Sequence, residues 1–286
     1  MYSKIVVGVD FSPGGEVLMQ SLPELRRLGT KEVTLVHSLD VTYPVDGLVE
    51  YEDGYRGHLE VCRRRVESEG FEAEIELTSG SPGKELARVA DDRGARLIVV
   101  GSRSHSRLVN AFVGSVAWGV LRHTSVPVLV VRIEPGAAAG DQPFETPTPA
   151  GFERVVFPTD WSESADRAFK YVERLAHSGV ESFLLIHVRD QVEESRTGHT
   201  NEEEDRGKLA ALEDRLRTIG VAVVEIADPG GAPAQEIVRR AAERPGTLVV
   251  MGSHGRTALG DVFLGSVSRE VVRTGRTPVL LIPRVK

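Results

Sequence analysis

Only one cysteine, Cys62, occurs in a chain of 286 residues. A lone thiol closes no internal disulfide, so nothing in the sequence asks for an oxidising compartment. Leu59, Cys62 and Val66 share one helical face, which is the pattern of a small core residue rather than a redox group. Long apolar runs are missing as well. No stretch approaches the roughly 18 residues that a membrane helix needs, and the opening MYSKIVVGVDFS lacks the architecture of a secretory signal. The expectation is a cytoplasmic protein without a membrane partner. Nor is there an excess of base: residues 1–133 carry 16 basic and 18 acidic side chains, and residues 151–286 carry 19 and 21. That balance argues against nucleic acid as a partner. The one basic run, Arg63-Arg64-Arg65, fans around a helix and reads as a solvated face.

Catalytic signatures are equally scarce. The chain has no G-x-S-x-G, no H-E-x-x-H and no paired cysteines, and Gly80-Ser-Pro-Gly-Lys84 lacks the spacing of a P-loop. The eight histidines are scattered, and His37 and His187 close apolar strands, where a hydrogen-bonded structural histidine is the ordinary reading. No catalytic residue and no metal site made of side chains alone is assigned.

What the chain does have is an alternation of strands and helices, given twice. In the first half, strands are expected at Lys4–Asp10, Glu32–His37, Glu72–Thr78, Arg96–Val100 and Val126–Val131. Between them come a helix started by Ser12-Pro13 and stopped by Gly29, a loop over 40–54, helices over 55–69 and 84–93, and a short helix from Ser115. Residues 134–150 hold four prolines and two glycines without a core pattern, and read as a linker. Beyond it the order repeats. Asp10 and Asp160 lie 150 apart, as do His37 and His187; Gly101 and Gly252, Gly114 and Gly265, and Ser115 and Ser266 lie 151 apart. The expected organisation is a domain over 1–133, a linker over 134–150 and a second domain over 151–286. Each is α/β: an open, doubly wound, five-stranded parallel sheet flanked by helices, Rossmann-like in its architecture. Such sheets hold ligands outside the carboxyl ends of their strands, where the strand order reverses.

The most informative stretch is Gly252 to Ser266, GSHGRTALGDVFLGS. It follows the buried-strand pattern Thr247–Met251 and precedes a short amphipathic helix, so the glycines stand where a strand hands over to a helix start. Unpartnered N–H groups and the positive end of the helix dipole suit a phosphate there. Gly252, Gly255 and Gly265 are expected to allow close approach of the main chain and φ values closed to other residues, and Ser266 to add a hydroxyl at the helix start. Asp160, ending the first strand of this half, is suited to accept from a ribose hydroxyl or an adenine amino group. As a bare turn or capping aspartate it would have no ligand role.

An aspartate closing strand one, with G-x2-G-x9-G-S after strand four and Thr277-Pro-Val-Leu-Leu-Ile282 downstream, resembles the universal stress protein family in its tandem two-domain form. The likeness spans both halves and leaves out only the linker. It implies an adenine-nucleotide-binding fold of the adenine nucleotide alpha hydrolase-like type, with ATP, AMP or ADP as ligand and a magnesium ion accompanying the phosphates. By position, it implies Pro158, Thr159, Asp160 and Val188 near adenine and ribose. It implies Met251, Gly252, Gly255, Gly265, Ser266 and Val267 around ribose and phosphates, with His254 and Arg256 inside the loop able to offset phosphate charge. The first half departs from the pattern. Its loop GSRSHSRLVNAFVGS keeps Gly101, Gly114 and Ser115 but has Ser104 where the second glycine belongs. A Cβ there narrows φ/ψ space. A weaker second site is expected from Asp10, Gly101, Ser104, Gly114, Ser115 and Val116, with Arg103 and Arg107 as compensating charge.

Three readings stay open: a nucleotide-binding regulatory module acting chiefly through the second half, a slow ATP hydrolase, and an interaction module that needs no nucleotide. Loops after strand one reading DFSPGG and DWSESA rather than S-G-G-x-D-S disfavour adenylating chemistry. In the family the last strands lie at sheet edges, and an exposed apolar edge is a liability unless covered. PVLVVRI and PVLLIPR are therefore expected to pair with each other, making the chain an intramolecular pseudo-dimer that can associate further as a homodimer.

Overall fold

Val, Ile and Leu fill the strands of both halves, and in the first of them, β1 (Lys4–Gly8), Ile5, Val6 and Val7 are all but inaccessible. A strand buried on both faces needs helices above and below, which is what a parallel sheet with crossover helices supplies. A computed structural model describes residues 1–39, 48–103, 115–135, 144–145, 152–189, 202–255 and 264–284. The chain splits into two units, Met1–Pro147 and Thr148–Lys286, each α/β.

After β1 the first unit runs through α1 (Pro13–Ser21), a 3-10 helix (Leu22–Leu28), β2 (Glu32–Leu39), α2 (Leu48–Ser68), β3 (Glu72–Ser79), α3 (Pro82–Asp92), β4 (Leu97–Arg103), α4 (Ser115–His123) and β5 (Val128–Pro135). Its sheet has the order β3-β2-β1-β4-β5, parallel throughout. Within residues 134–150, β6 (Phe144–Glu145) pairs antiparallel with Glu134 and Pro135 of β5.

The second unit comprises β7 (Arg154–Pro158), α5 (Glu163–His177), β8 (Ser182–Ile186), α6 (Glu202–Ile219), β9 (Val223–Ala227), α7 (Pro233–Ala241), β10 (Thr247–Gly252), α8 (Ser266–Thr274) and β11 (Val279–Ile282). Its sheet repeats the order as β9-β8-β7-β10-β11, again parallel. Strand order therefore reverses beside β1 in one unit and beside β7 in the other. The carboxyl ends of those strands carry Asp10 and Asp160.

Local chemistry explains the helix starts. Ser12 Oγ accepts from the Gly15 N–H at 3.0 Å and Ser162 Oγ from the Ala165 N–H at 3.2 Å, each closing one orphan donor of α1 or α5. Two expectations need correction. The helix expected from Ser12 to Gly29 is broken: α1 stops at Ser21 and a tighter 3-10 turn carries the chain to Gly29, because Pro23 has no N–H for an α-helical bond. The loop expected over 40–54 is shorter, since residues 48–54 already belong to α2. Its Gly54 and Gly57 stand against open space, where even a Cβ would meet nothing within 4 Å. Glycine there weakens the helix without breaking it.

The remaining sequence readings of single side chains have plain packing outcomes. Cys62, Leu59 and Val66 are buried together, and burial pushes the Cys62 thiol above its ordinary range. Arg63 pairs with Glu60 and Glu67, and Arg65 with Glu16 at 2.6 Å. Among the described residues, no helix is long and apolar enough to cross a membrane.

Candidate functional site

Asp160 occupies the centre of the second unit's carboxyl edge, because β7 lies between β8 and β10. Its Oδ1 accepts from the Ser162 N–H at 3.1 Å, an Asx turn that leads the chain into α5. Its Oδ2 faces Gly255: a Cβ on that glycine would lie 2.8 Å from the oxygen. Asp10 makes the same turn. Its Oδ1 accepts from both the N–H and the hydroxyl of Ser12, at 3.2 and 2.6 Å, and lies 2.5 Å from where a Cβ on Gly15 would be. Ala165 stands at the position matching Gly15.

The neighbouring residues are set by a buried histidine. His187 Nδ1 lies 2.8 Å from the Thr159 carbonyl oxygen, tying the end of β8 to the segment before Asp160, and Thr159 Oγ1 accepts from the Trp161 N–H at 3.1 Å. His37 does the same in the first unit, 2.6 Å from the Val9 carbonyl oxygen. Trp161 and Phe11, each directly after the aspartate, have φ of 62° and 51°. That left-handed conformation is uncommon for a side chain of this size and marks a constrained turn. Trp161 is held by His187, with ring centroids 5.1 Å apart, and by Lys208 from α6, 5.5 Å from its ring centre. Asp205 of α6 lies 3.5 Å from His187 Nε2. At the matching places in the first unit, His37 stacks on Tyr55 at 4.8 Å and Phe11 packs on His58. A helix closes over the mouth in both units, by ionic and aromatic contacts in one and by aromatic rings and imidazoles in the other.

Val188 comes next. The His187 and Arg189 N–H groups donate to the Ala227 and Pro229 carbonyls on the β9 side, so strand alternation turns the Val188 peptide groups the other way, toward Thr159 and Asp160. A donor and an acceptor on one backbone residue can read the edge of a heterocycle.

The glycine loop completes the arrangement. Its two ends are fastened together: the Gly265 N–H donates to the Ser253 carbonyl at 2.7 Å, the Ser253 N–H to that of Ile282 at 2.9 Å, and the Ser268 hydroxyl to that of Gly252 at 2.9 Å. Ala117 stands where the first unit would need Ser268, so that fastening is absent there. One half of the expectation for the glycines fails: none of Gly252, Gly255 and Gly265 has a positive φ, and Gly265 itself is at −63°. Close approach of the main chain is the other half: a Cβ on Gly252 would lie 2.9 Å from Ser164 Cβ, and one on Gly265 would lie 3.3 Å from the Gly255 nitrogen. Ser266, exposed, is the first residue of α8 after Gly265 at the cap position, which places its hydroxyl at the helix start.

Pro158, Thr159, Asp160, Val188, Met251, Gly252, Gly255, Gly265, Ser266 and Val267 thus fall at the ends of β7, β8 and β10 and the start of α8. In the first unit Asp10, Gly101, Ser115 and Val116 occupy the corresponding ends. Arg256, Ser104, Gly114 and Arg107, and the side chain of Arg103, lie outside the described residues. The sequence reading missed Ser268, Ser253 and Trp161. Only the 151-residue offset that sets Ser268 against Ala117 would have marked one of them. Among the described residues, no group of three or more His, Cys, Asp or Glu side chains is placed to hold a metal ion.

The family model described as the universal stress protein family matches residues 1–132 and again 151–283. The chain belongs to the universal stress protein family. It is a tandem member, similar over 97% of its length to a universal stress protein of Mycobacterium tuberculosis, with 26% identity and 95% of that relative covered. A single-domain universal stress protein of Methanocaldococcus jannaschii is 30% identical over 46% of this chain and 96% of its own. Among solved structures, a universal stress protein from Archaeoglobus fulgidus superposes with a TM-score of 0.76 at 23% identity, covering 98% of this chain and 96% of that one. The tandem α/β architecture is therefore that of known universal stress proteins.

Proposed function

We propose that the second unit binds an adenine nucleotide, ATP or its ADP or AMP form, and that this tandem universal stress protein is a nucleotide-dependent regulatory module. The observation that carries the reading is the Asp160 carboxylate turned onto Gly255, in a cradle that a single Cβ would fill. The residues present suit the ligand. Pro158, Thr159 and the Val188 peptide groups take the base, Asp160 takes a ribose hydroxyl, and Gly252, Gly255, Gly265, Ser266 and Val267 leave room and N–H donors for ribose and phosphates at the start of α8. A magnesium ion would ride on the phosphates, with no protein side-chain cage.

Asymmetry between the units supports binding chiefly in the second. Ala117 replaces the fastening serine, and Ser104 stands where the second unit has Gly255. Regulation follows if nucleotide has different affinity for two states of the protein. The cytoplasm is where such a ligand is met.

The test is to denature the purified protein and identify released small molecules by mass spectrometry. An adenine nucleotide is expected from the wild type and none from Gly265→Val, whose branched side chain presses on the His254–Gly255 backbone. Finding none in the wild type, and no binding of added ATP, would contradict the reading.

A further inference from the structure

Within the glycine loop, one side-chain contact has no role in the account above: Ser253 Oγ lies 2.7 Å from His254 Nδ1. Ser253 is 1% exposed and is fixed through both its backbone groups, by the bonds to Ile282 and from Gly265. It is therefore a rigid post, whereas His254 is half-buried, with its backbone beside Gly265. A hydroxyl donates to a neutral ring nitrogen and accepts from a protonated one. The same post therefore holds the imidazole in either charge state.

The first unit supplies the contrast. Ser102 stands at the matching position, 1% exposed, with its hydroxyl buried and unpartnered, and the residue after it is Arg103 rather than histidine. The serine is present in both units, but only in the second does its hydroxyl hold a ring. Among the described residues, Asp160, whose carboxylate abuts Gly255, is a charged group at the base of the loop.

We propose that Ser253 is a positioning residue that holds His254 as a titratable contact to the nucleotide phosphates, making affinity in the second unit sensitive to pH and to phosphate number. The proposal rests on the nucleotide reading above. Protonation of the imidazole adds a charge-assisted bond to phosphate as pH falls through the histidine range. Adenosine has no phosphate and gains nothing.

Calorimetry on the full chain with ATP and with adenosine, at pH 6 and pH 8, tests this. The ratio of ATP affinities between the two pH values is expected to be about three- to tenfold larger for the wild type than for His254→Gln, which keeps a neutral donor and cancels the titration of ATP itself. Ser253→Ala is expected to lose most of that excess while keeping the wild type's urea unfolding midpoint, which shows that the chain is still folded. Ser102→Ala should leave it intact. Equal pH ratios in wild type and His254→Gln, or a full ratio in Ser253→Ala, would overturn the role of the pair while leaving nucleotide binding in place. Failure of the wild type to bind ATP at all would overturn the nucleotide reading and this proposal with it.

Discussion

Two residues show how one residue type is used at matching places. Asp10 and Asp160 both end the first strand of a sheet, and both begin a helix through a turn. Asp10 Oδ1 lies 2.5 Å from where a Cβ on Gly15 would be, whereas Ala165 carries a methyl at the matching place. Gly252 makes the same point about space. Its backbone is unexceptional, but Ser164 of α5 packs so closely that a Cβ on the glycine would lie 2.9 Å from both the backbone carbon and the Cβ of Ser164. Gly252→Ala is therefore expected to destabilise the second unit by about 1–3 kcal/mol through overpacking. Ser164→Gly in the same chain should recover part of the loss, and urea unfolding of the single and double variants measures both.

At the level of elements, the amino ends of the second sheet are held by a buried cation. Arg154, which opens β7, is 2% exposed; its Nη1 donates to the Arg240 carbonyl at 3.2 Å and its Nη2 lies 3.6 Å from Glu225 of β9. Arg244 reaches the other Glu225 oxygen at 2.8 Å. Burial lowers the Arg154 pKa more than the Glu225 charge raises it. Removing Glu225 takes the paired carboxylate from a buried cation, so Glu225→Ala is expected to cost about 1–2 kcal/mol, less than a wholly buried pair because Glu225 is half exposed. Arg154→Met should be near neutral, and equilibrium unfolding of the two variants checks the contrast. Elements of this kind were legible in the sequence where their cause is local: the Ser12 and Ser162 starts, the alternating strands and the 150-residue repeat all appear as short patterns. The Ser268 bond to Gly252 spans 16 residues, and no pattern of residue types announces it; a hydrogen-bonded His187 was expected, but not that its partner is the Thr159 carbonyl 28 residues away. For the glycines the sequence offered two reasons, close approach and a left-handed φ, and could not choose between them, since it shows that a Cβ is missing but not whether φ or a neighbour requires it.

For the whole molecule, duplication without identity is the main feature. Both units keep the same sheet order and the same aspartate, and both carry a histidine tying strand two to strand one. They differ in the fastening serine and in the residue that follows the loop's first serine. Two equal sites would bind two nucleotides, whereas the function proposed above has one. Titration calorimetry of the full chain with ATP measures that directly. The expected result is one site per chain, lost in Asp160→Ala and retained with unchanged affinity in Asp10→Ala. Two equivalent sites, or loss of the dominant site in Asp10→Ala rather than Asp160→Ala, would contradict the account.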